Sequence, residues 1–246
     1  MLNRYWATPS GEYPVLFEDM LSQNHLLIAG VTGSGKSVLI NGLMYTALLK
    51  SPNDVRFILI DPKRVELRDY RDMPHTLAHA AGFDPKAWND ALTQAVATMD
   101  RRYAEMERRR ERLYKGSDVY VVIDEWANVY KNGGKQAYRS VLRLISEGRA
   151  ARVHVLMATQ VPKASIIPTE IRDNFSARVC LHTNSAMESR VIMERKGCEN
   201  LPAYGYGYYL KPCYLELWNI PMIDERERQR VLEHWTQHNK PKIKWF

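Results

Sequence analysis

Cysteine is scarce in this chain, with three among 246 residues, at Cys180, Cys198 and Cys213. None has CxxC or CxxH spacing, which excludes a zinc knuckle. So sparse and odd a set argues against a disulfide framework and for reduced thiols in the cytoplasm. No run approaches the roughly 18 apolar residues that a membrane-crossing helix needs. The start, MLNRYWATPSGEYPV, has no apolar stretch after Arg4 of the kind a secretory leader carries. The expectation is a cytoplasmic protein with no direct membrane insertion. Internal repeats and low-complexity linkers are absent, which excludes solenoids and tethered arrays. His25, His75, His79 and His154 lack metal-ligand spacing.

What is present is ordinary globular composition, 45% hydrophobic and 26% charged, with a net charge of +7. Such a balance favours an acidic partner, nucleic acid or an anionic surface, without choosing between them. Short apolar runs at His25–Ala29, Val55–Ile60, Val119–Ile123, Val153–Ala158 and Ala177–His182 alternate with helical stretches. The helical stretches are Ser37–Lys50, Ala87–Lys115, Gln136–Glu147 and Ser185–Lys196. Strands alternating with helices predict crossover units and a mostly parallel sheet covered by helices on both faces. Runs as continuously apolar as VYVVI suit strands buried on both sides. Tyr204–Ile220, rich in glycine and tyrosine, reads as an antiparallel hairpin. These patterns divide the chain into an N-terminal hairpin or strap (1–24), a main α/β domain (25–220) and a C-terminal helix with a basic tail (221–246).

The chemistry centres on Gly30, Val31, Thr32, Gly33, Ser34, Gly35, Lys36 and Ser37, which match G-x-x-x-x-G-K-[ST] between a strand and a helix. Glycines let consecutive N–H groups converge on phosphates, and the helix adds its positive N-terminal dipole. Lys36 is expected to reach the β- and γ-phosphates and the Ser37 hydroxyl to ligate Mg²⁺. VYVVIDE ends a second apolar strand in paired carboxylates. Asp124 suits the metal, and Glu125 suits orientation of an attacking water, so ATP hydrolysis is expected over simple binding. A third strand ends in Thr159 and Gln160, where a polar side chain can sense the γ-phosphate. A helix dense in arginine, with Arg101, Arg102, Arg108, Arg109, Arg110 and Arg112, reads chiefly as a solvated charged face.

Five blocks together resemble the motor domain of the FtsK/SpoIIIE family of double-stranded DNA translocases. They are HLLIAGVTGSGKSV, VRFILIDPKRVEL, MDRRYAEM, VYVVIDE and EGRAARVHVLMATQVP. The resemblance implies a RecA-like P-loop NTPase fold with a C-terminal β-hairpin, ATP and Mg²⁺ as cofactors, and a homo-hexameric ring that threads duplex DNA. It implies phosphate binding by Gly30–Ser37, metal binding by Asp124, catalysis by Lys36 and Glu125, and a sensor role for Gln160. Arg149 stands where the family offers an arginine to the neighbouring subunit's nucleotide; Arg178 and Arg190 are the other candidates. The same likeness places DNA-facing loops at Lys131–Lys135 and Val161–Arg172, with Lys131, Lys135, Lys163 and Arg172 as the basic residues.

Two departures stand out: Val161 replaces an arginine common in the family, and Ala186 a lysine. With no winged-helix module after Ile220, the chain resembles a minimal motor, such as a plasmid, conjugative element or phage would use. Two alternatives stay open, a related ring or coupling ATPase with protein cargo, and a non-motor nucleotide-dependent interaction module.

Overall fold

The computed structural model describes residues 5–6, 13–14 and 16–238. In chain order the elements are β1 (Tyr5–Trp6), β2 (Tyr13–Pro14), α1 (Leu16–Ser22), β3 (His25–Ala29), α2 (Lys36–Leu48), β4 (Val55–Asp61) and β5 (Thr76–Ala81). Then come α3 (Pro85–Arg109), β6 (Asp118–Ile123), α4 (Trp126–Glu147), β7 (Val153–Thr159) and α5 (Thr169–Arg172). The chain closes with β8 (Ala177–Leu181), α6 (Ala186–Met193), β9 (Tyr206–Lys211), β10 (Tyr214–Asn219) and α7 (Glu225–His238).

The main sheet has eight strands in the order β10-β9-β8-β3-β7-β6-β4-β5. From β8 to β5 all neighbours are parallel, and β9 and β10 join antiparallel as the C-terminal hairpin. Strands alternate side chains between two faces, and here both faces are covered. Leu27, Ile58, Ile60, Val121 and Val155 pack with α3, α4 and α6. Leu26, Ile28, Phe57, Leu59 and Val122 pack with α1, α2 and α7. This is why the central strands are apolar without interruption: each residue, whichever way it points, meets a helix.

Several boundaries differ from expectation. The first 24 residues are not a hairpin alone. The short β1–β2 pair is followed by α1, whose Phe17, Met20 and Leu21 are buried under the sheet. The Ala-rich Thr76–Ala81 forms an unexpected edge strand, half-buried and beside β4. Helix α3 opens with Asp84 accepting from the Ala87 N–H and Pro85 in its first turn. It stops at Arg109, short of Lys115, because Arg110 takes a left-handed conformation (φ 56°). The KNGGK stretch is not a loop; it lies inside α4, which bends at Gly134 (φ 67°, ψ −158°). Only glycine readily adopts that pair of angles. The adjacent Gly133 is buried, and its carbonyl accepts from Asn89, so one glycine bends the helix and the other packs inside it. The basic tail falls outside the described residues. Among those described, no helix is long and apolar enough to cross a membrane.

Candidate nucleotide site

Strand order builds the site. β7 lies between β3 and β6, so its carboxyl end separates the phosphate loop after β3 from the paired carboxylates after β6. Gly30–Ser37 therefore meets Asp124, Glu125, Thr159 and Gln160 at one edge of the sheet. Two backbone bonds fasten the start of the loop, from Gly30 N–H to the Thr159 carbonyl (3.3 Å) and from Val31 N–H to the His182 carbonyl (2.9 Å). The Ser34 hydroxyl donates to the Val31 carbonyl at 2.7 Å. Gly35, left-handed at φ 103°, turns the chain into α2, a conformation that glycine alone adopts at no steric cost. The hairpin's Tyr204–Gly205 corner leans on the loop, with the Gly205 N–H 3.4 Å from the Ser34 carbonyl.

Glu125 is buried and held from three directions. The Thr159 hydroxyl (3.0 Å) and the Gln160 N–H (3.1 Å) both donate to Oε1, and Lys63 Nζ lies 3.2 Å from Oε2. The Gln160 side chain accepts from the Thr32 hydroxyl at 2.9 Å. Gln160 thus joins the tip of the phosphate loop to the carboxylate. Ser37 Oγ donates to Glu66 at 2.5 Å. Asp61, at the end of β4, accepts from the Lys63 and Leu67 N–H groups and so shapes the turn that carries Lys63 and Glu66.

The electrostatics fit a cation-dependent phosphate site. Burial and the neighbouring carboxylates of Asp61, Glu66 and Glu125 push Asp124 up to about 7, against the pull of Lys63. Burial pulls Lys36 below the ordinary lysine value, although Glu125 and Asp124 oppose it. Four carboxylates thus share this edge with two lysines, an excess of negative charge that a divalent ion would relieve. The chain does not form a closed cage: among the described residues no three His, Cys, Asp or Glu converge as a metal site. Mg²⁺ commonly takes one or two protein ligands and completes its shell with phosphates and water. Ser37 and Asp124 suit that manner of binding.

The arginines separate clearly. Arg149 is exposed, in the turn between α4 and β7, at the amino edge of the sheet. β3 crosses from that edge to the phosphate loop in five residues, on the order of 17 Å at strand rise. Arg149 is therefore not part of its own chain's nucleotide site. Arg190 is exposed on α6. Arg178 is buried, bonded to the Phe175 and Ile192 carbonyls and to Glu194. That occupancy within its own chain removes it from the candidates for a trans-acting arginine.

Of the basic residues expected to face DNA, Lys131, Lys135 and Lys163 are exposed. Lys131 and Lys135 flank an open groove of about 530 Å³, which Tyr130, Tyr138, Pro168 and Glu170 complete. Trp126 anchors the Val161–Pro168 loop by donating to the Ile166 carbonyl at 2.8 Å, and Tyr138 bonds Glu170. Arg172 differs from expectation, because its guanidinium is turned onto Asp173 and Glu194.

Lys63 and Glu66 are the site residues that motif reading did not assign a role. The signal was the DPK block with its following acid. Its relevance depends on β4 lying beside β6, which local sequence does not specify.

Comparison with known proteins agrees with this architecture. The model of the FtsK/SpoIIIE family matches residues 9–118. The chain is 33% identical to the DNA translocase FtsK of Leptospira interrogans serogroup Icterohaemorrhagiae serovar Lai, over 91% of this chain and 26% of that protein. It is 35% identical to the DNA translocase FtsK of Treponema pallidum, over 92% of this chain and 30% of that protein. The chain thus spans about a quarter to a third of these relatives. Among solved structures, the cytoplasmic domain of the Thermomonospora curvata type VII secretion ATPase EccC superposes with a TM-score of 0.74 at 24% identity, covering 86% of this chain and 28% of that one. The pCW3 conjugation coupling protein TcpA gives 0.75 at 18% identity, covering 92% and 68%. With the fold, the site and these relatives in agreement, the chain belongs to the FtsK/SpoIIIE family as one of its P-loop ATPase domains.

Proposed function

We propose that this domain hydrolyses ATP and uses the energy to move double-stranded DNA through a hexameric ring of its own copies. The observation that carries the hydrolytic part is the fixation of Glu125. A carboxylate oriented by Thr159, Gln160 and Lys63, beside Lys36 and Asp124, is arranged to align and polarise a water. Pre-set orientation of this kind lowers the barrier without reorganisation during the reaction. Backbone N–H groups of Thr32, Gly33 and Gly35, together with Lys36, would bind the phosphates. Ser37 and Asp124 would hold Mg²⁺, which would supply positive charge beside the phosphates. Gln160, bonded to both Thr32 and Glu125, is placed to report the γ-phosphate to the loop that follows β7. Arg149 of a neighbouring copy would add positive charge in the transition state.

The DNA part is supported by the relatives named DNA translocases and by the exposed Lys131, Lys135 and Lys163. Non-specific grip needs phosphate contacts and should weaken steeply as salt rises. The test is steady-state ATPase with and without duplex DNA, combined with displacement of the third strand from a triplex. We expect duplex stimulation and stripping of the third strand, both abolished by Lys36→Ala and Glu125→Gln. Turnover indifferent to duplex DNA at low salt would sink the translocase reading. A second reading, a protein cargo, is favoured by the likeness to the type VII secretion ATPase EccC, which has been solved in complex with a signal sequence peptide. It predicts stimulation by a partner polypeptide and none by DNA.

A further inference from the structure

The turn that presents Arg149 is fastened far more tightly than a surface connection requires. Each of its six carbonyls accepts a hydrogen bond. Glu147 O accepts from the Tyr103 hydroxyl at 2.6 Å. Gly148 O accepts from Val153 N–H, Arg149 O from Arg152 N–H and Ala150 O from Tyr114 N–H. Ala151 O and Arg152 O both accept from Arg102, at 2.8 and 3.0 Å, and Arg152 O also accepts from Val119 N–H. The turn closes with Arg152 in a left-handed conformation (φ 54°). The Arg152 side chain is clamped in a bidentate pair on Asp118.

Arg102 is the unusual member. Its neighbours along α3 are mostly solvated, yet Arg102 is buried. Its guanidinium is spent on the two turn carbonyls and Ser117, with Tyr114 stacked against it at 4.4 Å. Burying a cation is costly, and neutral donors could satisfy two carbonyls. The result is a rigid backbone under one exposed arginine.

We infer that Arg102 and Tyr103 of α3 are positioning residues for Arg149, fixing the 147–152 turn so that its guanidinium leaves the amino edge in one direction. The inference rests on the proposed trans role of Arg149. An arginine reaching across a subunit boundary has a long, flexible side chain. Its aim depends on where its backbone stands, and misplacement by about 1 Å can cost on the order of a hundredfold in rate. Arg102 and Tyr103 are adjacent on α3 and grip the two ends of the turn, so α3 works as a jig for a residue some fifty positions away.

The test is steady-state ATPase of the full chain with saturating duplex DNA, for Tyr103→Phe, Arg102→Lys, Arg149→Ala and the double variants. Arg149→Ala should lower kcat by about a hundredfold or more. Mixing it with Lys36→Ala copies, which keep Arg149 but lack a working phosphate loop, should restore part of the activity. Tyr103→Phe, which deletes one hydrogen bond, should lower kcat roughly three- to tenfold. KM for ATP and DNA affinity should stay as in the parent, and the melting temperature should fall by no more than a few degrees. Added to Arg149→Ala, Tyr103→Phe should cost nothing further, since there is no longer an arginine to aim.

Arg149→Ala with full kcat, or no recovery on mixing, overturns the trans role and the positioning role with it. Loss and recovery at Arg149, but parental kcat in Tyr103→Phe or the same fold loss without Arg149, overturns the positioning role alone. Arg102→Lys keeps the charge but offers fewer donors in a different geometry, and should lower kcat in the same non-additive way. If that variant fails to fold, Tyr103→Phe decides the matter by itself.

Discussion

The two edges of the parallel sheet use the same residue types to opposite ends. At the carboxyl edge, Asp61, Glu66, Asp124 and Glu125 crowd around Lys36 and Lys63, and their charges do not cancel. Asp124 is pushed up to about 7 by burial and its acidic neighbours. At the amino edge Asp118 is half-buried, which alone would raise it, but hydrogen bonds from His154 and Arg152 hold it at about 2. One carboxylate is destabilised by its surroundings and the other is stabilised. The first belongs to the proposed nucleotide site, where a bound cation would supply the missing charge; the second belongs to a scaffold that is complete without one. Activity and stability should therefore separate by edge.

That separation can be broken by mutation. The largest effect is expected from Arg102→Met, which leaves the Ala151 carbonyl without the partner it has in this structure. We expect a loss of about 3 kcal/mol of folding stability, measured by urea unfolding. Asp118→Asn should cost about 2 kcal/mol near neutral pH. The sign follows from the depressed value: the contribution is complete above about pH 4 and is lost as pH falls toward 2. At the other edge, Asp124→Asn should instead stabilise the metal-free protein at pH 8, on the order of 2 kcal/mol, because it removes a charge that burial disfavours. The same variant should lose Mg²⁺-dependent turnover. If both aspartate variants move stability in the same direction, the contrast between the edges is wrong.

The smallest effect concerns His25. Burial and the nearby His154 lower it to about 3; Phe175 and the Gly148 backbone also pack against the ring. The unfolded chain takes up a proton near the ordinary value of 6.5 and the folded chain does not. Stability is therefore full above pH 6.5 and falls as pH drops toward 3. His25→Asn keeps an acceptor for the Val155 N–H, which His25 Nδ1 accepts in this structure. It should flatten the decline between pH 6.5 and 5 by about 1.5 kcal/mol. An unchanged slope would show that other groups set the acid sensitivity.

Legibility in the sequence follows the same division. The phosphate loop and the Asp124–Glu125 pair are contiguous, and contiguous chemistry can be read from spacing. The five principal parallel strands were visible because burial on both faces leaves unbroken apolar runs. β5 was not, because a half-buried edge strand made of alanine and histidine carries little hydrophobic signal. Lys63 and Glu66 escaped because their approach to Ser37 and Glu125 depends on which strands are neighbours. Arg102 escaped because arginines in a charged helix look alike until the fold turns one inward. Arg172 and Arg178 misled for the mirror reason: their partners Glu194, Ile192 and Phe175 are assembled only by packing.

Gly134 carries a consequence of handedness. A Cβ placed there meets nothing within 4 Å, so bulk is no obstacle; the obstacle is the sign of its dihedral angles. Reflected, φ 67° and ψ −158° fall in the extended region that ordinary L-residues favour. A D-alanine introduced by chemical ligation would favour these dihedral angles, whereas L-alanine would press the two arms of α4 toward one continuous rod. Lys131 precedes the joint and Lys135 follows it. Mirror-image substitution at a single position thereby offers a way to lock or straighten the relative bearing of two lysines without altering either.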